Sequence, residues 1–138
     1  MRSILIVLLG LFLLSSTSAS ASDYKVAYAF DAGELNDAGK KEDCEYKTWC
    51  QITSEKLNLS ITLSFWRPDH KEVTISVNGY KAGRPACCYF ADGVPTVRRN
   101  AKDSLVRLHV FEGHERIRNE FIQNAYLGTL YLRFSDMK

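Results

Sequence analysis

The chain has 138 residues, 46% of them hydrophobic, and sets 18 Lys or Arg against 16 Asp or Glu for a formal net charge of +2. That near-balance excludes the dense positive field with which nucleic-acid binders displace counterions, so no nucleic acid is expected among the partners. Four cysteines, an even number, are the other compositional fact that limits the chemistry.

Residues 1–21 read as a secretory signal peptide. Arg2 supplies a positive start, Ile4 to Leu14 an apolar segment, and Ala19-Ser20-Ala21 a small-residue cleavage site. The apolar run is shorter than the roughly 20 residues that cross a bilayer, and no later run approaches that length, so no transmembrane segment is expected after signal cleavage. Residues 22–138 are expected to form a single β-rich globular domain that is secreted or periplasmic. In such an oxidising compartment Cys44, Cys50, Cys87 and Cys88 read as two disulfides rather than as a metal or thiol site.

Tyr24 to Phe30 alternates apolar and small or polar residues, as a strand does. Asp31 to Glu45 is polar and acidic and reads as a loop. Its acids lack the alternating ligand spacing of an EF-hand, so a solvated loop is expected rather than a calcium site. Tyr46 to Ile52 is a short strand with Cys50 and Ile52 on one side and Trp49 and Gln51 on the other. Leu57 to Trp66 then alternates without a break, which predicts a strand with one buried face and one wet face of Ser60, Thr62 and Ser64. After a turn at Arg67-Pro68-Asp69-His70, Val73, Ile75 and Val77 continue the pattern, and the two strands are expected to form an antiparallel hairpin. Asn78-Gly79 reads as the next tight turn.

Ala86-Cys87-Cys88-Tyr89-Phe90 is an apolar strand closed by Asp92-Gly93. Successive strand side chains point to opposite faces, so a bridge between Cys87 and Cys88 would force the backbone out of strand geometry. Four cysteines permit three pairings. Strand geometry favours crossed pairings of Cys44 and Cys50 with Cys87 and Cys88 over a local Cys44–Cys50 bridge. Pro95 to Asp103 reads as a basic loop, Leu105 to Phe111 as a strand, Glu115 to Asn124 as the one helical segment, and Tyr126 to Phe134 as the last strand. Six to seven short strands with one short helix define an all-β chain: a small antiparallel β-sandwich, or a partly closed barrel, stabilised by disulfides.

Motifs for catalysis are weak. His114-Glu115 begins like a zinc-protease motif, but Arg118 stands where the second histidine would be, and no glycine-rich phosphate loop or seryl elbow is present. No catalytic residue, metal ligand or cofactor is expected. Asn58-Leu59-Ser60 matches a glycosylation sequon inside an expected strand and is read as chance.

Charge is unevenly spread along the chain: from Lys81 onward ten cations face six acids, and seven of the ten are arginines. Arg98, Arg99, Arg107 and Arg133 are the candidate anion-binding residues, because guanidinium meets carboxylate or phosphate in bidentate fashion. Their dispersion also fits a plain solvated surface. Trp49 and Trp66 are candidate stacking platforms beside a hydroxyl-rich sheet face that could take a glycan or an added strand. The expected function is a small exported, non-catalytic binding or inhibitor-type module for an unidentified protein or glycan partner, with an anionic partner as one version. A thiol/disulfide redox or sensor protein using Cys87-Cys88, and a hydrolase whose site assembles only in three dimensions, are the alternatives.

Overall fold

The computed structural model describes residues 22–79, 87–113 and 125–138. The expected signal peptide, residues 1–21, and the helix expected over Glu115 to Asn124 lie outside the described residues. Nine strands are present among those described: β1 (Tyr24–Ala32), β2 (Leu35–Cys44), β3 (Cys50–Ser54), β4 (Leu59–Arg67), β5 (Glu72–Gly79), β6 (Cys88–Phe90), β7 (Thr96–Asn100), β8 (Val106–Glu112) and β9 (Ala125–Ser135). They form two antiparallel sheets, one in the order β2-β1-β9-β8-β6 and the other β3-β4-β5-β7, and neither closes into a barrel. The expected sandwich is therefore the observed one. Among the described residues no helix is long and apolar enough to cross a membrane.

Alternation builds the core. Val26 and Phe30 of β1, Leu130 and Leu132 of β9 and Leu108 and Val110 of β8 point inward from the five-stranded sheet, and Ile61, Leu63, Ile75 and Val77 meet them from the four-stranded one. Each such side chain contributes roughly 1.5–3 kcal/mol by leaving water. Tyr24, Tyr46, Phe65 and Phe134 close one end, with Tyr24 edge-on to Phe65 at 4.7 Å between ring centroids. Burial there, followed by the nearby Tyr46 and Asp23, pushes the Tyr24 hydroxyl above the ordinary tyrosine pKa.

Two segments read as loops are strands. Asp31 to Glu45 contains β2, joined to β1 by a two-residue turn in which Gly33 takes a φ of 74°, the conformation a tight hairpin turn asks of its first residue. β2 is an edge strand and mostly exposed, so it carries no apolar phase, and charges on both faces discourage a further strand from adding to it. The segment from Pro95 contains β7, the other sheet's edge, where only Val97 faces the core. The predicted tight turn at Asn78-Gly79 is also corrected: both residues remain in β5, paired with Ser60 and Leu59. The hairpin itself stands, with β4 and β5 joined by a 3₁₀ turn at Pro68–His70. Asn58 lies in a turn just ahead of β4, at a φ of 54°, not inside the strand.

Crossed disulfides are overturned. Cys44 bonds to Cys50 and Cys87 to Cys88. Cys44 ends β2 and Cys50 begins β3, so this local bridge ties one sheet to the other across Cα atoms 5.4 Å apart. The premise about the second pair fails at Cys87, because β6 begins only at Cys88 and Cys87 need not keep strand geometry.

Candidate binding face

The outward phase of the four-stranded sheet is set by register. β3 and β4 pair Cys50 with Leu63 and Gln51 with Thr62, so the same register carried one residue back brings Trp49 beside Ser64. β5 and β7 continue this row, since Thr74 pairs with Ser64 on one side and with Arg98 on the other. Trp66, two residues beyond Ser64, lies on the same face. The β4–β5 register shifts between Ser64 and Arg67, an irregularity of the kind that re-aims side chains at sheet margins.

The two tryptophans meet. Their ring centroids are 5.8 Å apart at an interplanar angle of 84°, an edge-to-face contact, and yet Trp49 is 62% and Trp66 58% exposed. The loop between Cys44 and Cys50 holds this ridge in place: the Lys47 amide donates to the Phe65 carbonyl at 3.2 Å, and the Thr48 hydroxyl to the Glu45 carbonyl at 3.2 Å. The disulfide fixes both ends of that loop, so Trp49 is anchored to the strand that bears Trp66.

Beside the ridge lies a shallow depression of about 330 Å³ lined by Trp66, Arg67, Glu72, Thr74 and Arg98. A second, of about 200 Å³, shares Glu72 and Arg98 with it and adds His70, Arg99 and Asn100. A third, of about 550 Å³, lies where β3 adjoins β2 of the other sheet: Trp49, Gln51, Thr53 and Thr48 line it together with the charged Lys41, Asp43 and Glu45. Arg98 Nη1 stands 3.6 Å from Glu72 Oε1, an electrostatic contact longer than a hydrogen bond. The face is less wet than expected. Ser60 and Ser64 are buried, because β4 is central and flanked by longer side chains; Gln51 Nε2 donates to Ser60 Oγ at 2.7 Å. Thr62, Thr74 and Ser76 are half-buried, and the Ser76 and Thr96 hydroxyls are bonded to each other at 2.9 Å.

The four candidate arginines do not converge. Arg98 joins the tryptophans, while Arg99, on the alternate phase of β7, contacts Asp92 at 3.6 Å and donates to the Arg98 carbonyl. Arg107 and Arg133 belong to the other sheet, Arg107 over the Tyr131 ring at 5.9 Å and Arg133 donating to the Ser104 carbonyl at 3.3 Å. Arg67 and Glu72 also line this face, and no motif in the sequence marks them. The available signal was their position at the margins of a hairpin whose polar phase ends in a tryptophan.

Histidines do not gather either: His70 lies 3.5 Å from Asp69, and His109 Nδ1 is 3.2 Å from the Thr129 hydroxyl. His114 lies outside the described residues, as does Arg118. Among the described residues no group of three or more His, Cys, Asp or Glu is placed to hold a metal ion.

Fold and face together define a disulfide-stabilised antiparallel β-sandwich that presents a tryptophan ridge on one sheet. The chain matches no family model, no curated protein and no solved structure. Its chemistry follows from its own residues.

Proposed function

We propose that the chain is an exported, non-catalytic binding module that engages a protein or glycan partner through the outer face of its four-stranded sheet. One observation carries this reading: two tryptophans, each more than half exposed, lie in contact on a face otherwise made of hydroxyls and charges. Single exposed apolar residues are ordinary, but contiguous ones mark interaction sites, and tryptophan brings both stacking area and an N–H donor. Export is supported by the Ala19-Ser20-Ala21 site and by two disulfides, which are compatible with an extracellular or periplasmic location. The test compares retention of the wild-type protein and a Trp49→Ala/Trp66→Ala double variant on immobilised envelope and extracellular fractions. Retention lost in the variant supports the proposal; equal retention of both removes this face as the site.

The Cys87–Cys88 bond specifically favours a second reading, a redox or sensor role for that pair. Both residues are buried, at 7% and 2% exposure, which shields the sulfurs from a soluble exchange partner. Alkylation after mild reduction decides it. Labelling of Cys87 and Cys88 while Cys44–Cys50 stays intact brings the redox reading forward, and absence of label ends it.

A further inference from the structure

We infer that the tryptophan ridge and the depressions beside it bind an acidic oligosaccharide, a chain of sugars carrying carboxylates. The inference deepens the binding proposal above and rests on it. Three features of the face converge on this ligand.

The first is the ridge itself. An exposed indole offers a flat apolar surface to the C–H face of a pyranose ring, as it does to any amphipathic ring with an apolar side. The second is charge. Arg67, Arg98 and Arg99 line the two joined depressions against a single lining carboxylate, Glu72; Arg99 already meets Asp92 at 3.6 Å, so Arg67 and Arg98 are the cations set beside the ridge. Arg98 is held only loosely by Glu72, at 3.6 Å, with its side chain 75% exposed. A guanidinium so placed keeps donors available for a bidentate contact to a ligand carboxylate. The third is extent. Depressions containing Trp66 and Trp49 lie on the two sides of the ridge, so a ligand crossing it is longer than one sugar ring; its carboxylate contact belongs on the Arg67 and Arg98 side, because the Trp49 depression is lined by Asp43 and Glu45 against Lys41 and meets the ligand through hydroxyls. Thr74 on one side and Gln51 and Thr53 on the other supply partners for sugar hydroxyls.

A peptide would be recognised differently. Strand addition uses the free backbone groups of a sheet edge, whereas these features are side chains on a sheet face whose central strands, β4 and β5, are paired on both sides. The joined depressions also exclude a cationic ligand by their three arginines.

The chain has two tryptophans in all, and both form the ridge, so tryptophan emission, excited beyond the absorption of the seven tyrosines, reports on this face alone. The experiment titrates the mature protein, disulfides intact, with hexagalacturonate while following that emission. Its fully methyl-esterified form, which keeps the sugars and removes the charge, and polyglutamate, which keeps charge and removes the sugars, are titrated in parallel. Saturable change with hexagalacturonate is expected, with binding about tenfold weaker for the ester and for Arg98→Gln, the scale of one charge-assisted contact. Trp66→Ala should weaken binding by at least tenfold, read by calorimetry. Lys56→Gln, an exposed turn residue at the opposite end of the sheet, should leave it unchanged.

Equal binding of acid and ester, or no response to the acid, overturns the acidic-saccharide assignment. So does polyglutamate binding as tightly as hexagalacturonate with the same dependence on Trp66. In each case the retention of the wild-type protein on cell fractions, and its loss in the double tryptophan variant, still decides separately whether the face binds a partner at all.

Discussion

The outer faces of the two sheets use aromatic residues in opposite ways. On the five-stranded sheet Tyr89 stacks on Phe111 at 5.8 Å, Phe111 meets Tyr126 edge-on at 5.6 Å, and the Tyr126 hydroxyl bonds to Thr129, which also contacts His109. Tyr89 is buried and Phe111 half-buried, so these two rings are largely withdrawn from solvent, while Tyr126 at the margin stays 54% exposed with its hydroxyl tied to Thr129. On the four-stranded sheet Trp49 and Trp66 touch only edge to face and leave most of their surface to solvent. A ring that is packed on several sides contributes to stability. One held at its margin and open on its face is available to a ligand. The difference is in keeping with structural work for the first sheet and with the recognition proposed for the second.

The largest effect expected from breaking that division lies in the five-stranded sheet. The β8–β9 register shifts between Val110 and Phe111, and the accommodating Gly128 has a φ of 157°. A Cβ at this position would lie 2.2 Å from the Asp31 carbonyl oxygen of β1, a backbone atom that cannot swing aside. Gly128→Ala is therefore expected to lose on the order of 3 kcal/mol through strain and collision together, measured by urea unfolding. Trp66→Ala, by contrast, should move stability by less than about 0.5 kcal/mol, as surface substitutions do. A Trp66→Ala loss comparable to that of Gly128→Ala would make the ridge a structural element and dissolve the comparison.

The sequence expresses this division unevenly. Strands with a core-facing phase are legible by alternation, and Leu57 to Trp66, Leu105 to Phe111 and Tyr126 to Phe134 all appear within a few residues of their observed bounds. β2 and β7 are invisible by the same logic, because an edge strand that faces the core weakly has no apolar phase to repeat. The wet phase of β4 is narrower than alternation predicts: alternation tells which way Ser60 and Ser64 point, but their burial depends on what stands on either side of a central strand. Of the binding face, the tryptophans were detectable as large apolar residues on polar phases, Trp49 with Gln51 and Trp66 with Ser64. Their contact was not, since it depends on β3–β4 register, and Arg98 joins them only because its segment is a strand. Nor could the disulfide pairing be read, because it follows from β2 ending beside the start of β3 in a different sheet.

That pairing gives the next largest expected effect, and it couples the two sheets. Removing Cys44–Cys50 with a Cys44→Ala/Cys50→Ala variant should cost about 2 kcal/mol in urea unfolding, the loop-entropy scale for so short a closure. The loop it closes carries Trp49, so ligand affinity should fall in the folded variant even under conditions where unfolding is negligible. Retention of full affinity would mean that the Lys47 amide bond to Phe65 suffices to hold the ridge.

The smallest effect is expected from acid, and it belongs to the five-stranded sheet. Lys25 pairs with Asp136 at 3.0 Å, Lys40 with Glu42 at 2.8 Å and Lys41 with Asp43 at 3.1 Å, all on β1, β2 or the end of β9. The hydrogen bond and then the charge of the facing lysine hold each of these carboxyls below its ordinary pKa. A carboxyl depressed in the folded state binds its proton more readily when unfolded, so its contribution is complete above the ordinary range near about 4 and is lost as pH falls through the depressed value. Thermal midpoints should therefore show no step from these groups between pH 7 and 5, and a small decline below about pH 4. Because all three pairs face solvent, high salt should flatten that decline. Asp136→Asn should remove part of it while leaving ligand binding on the opposite sheet unchanged; a binding defect in that variant would show that the two faces are not independent.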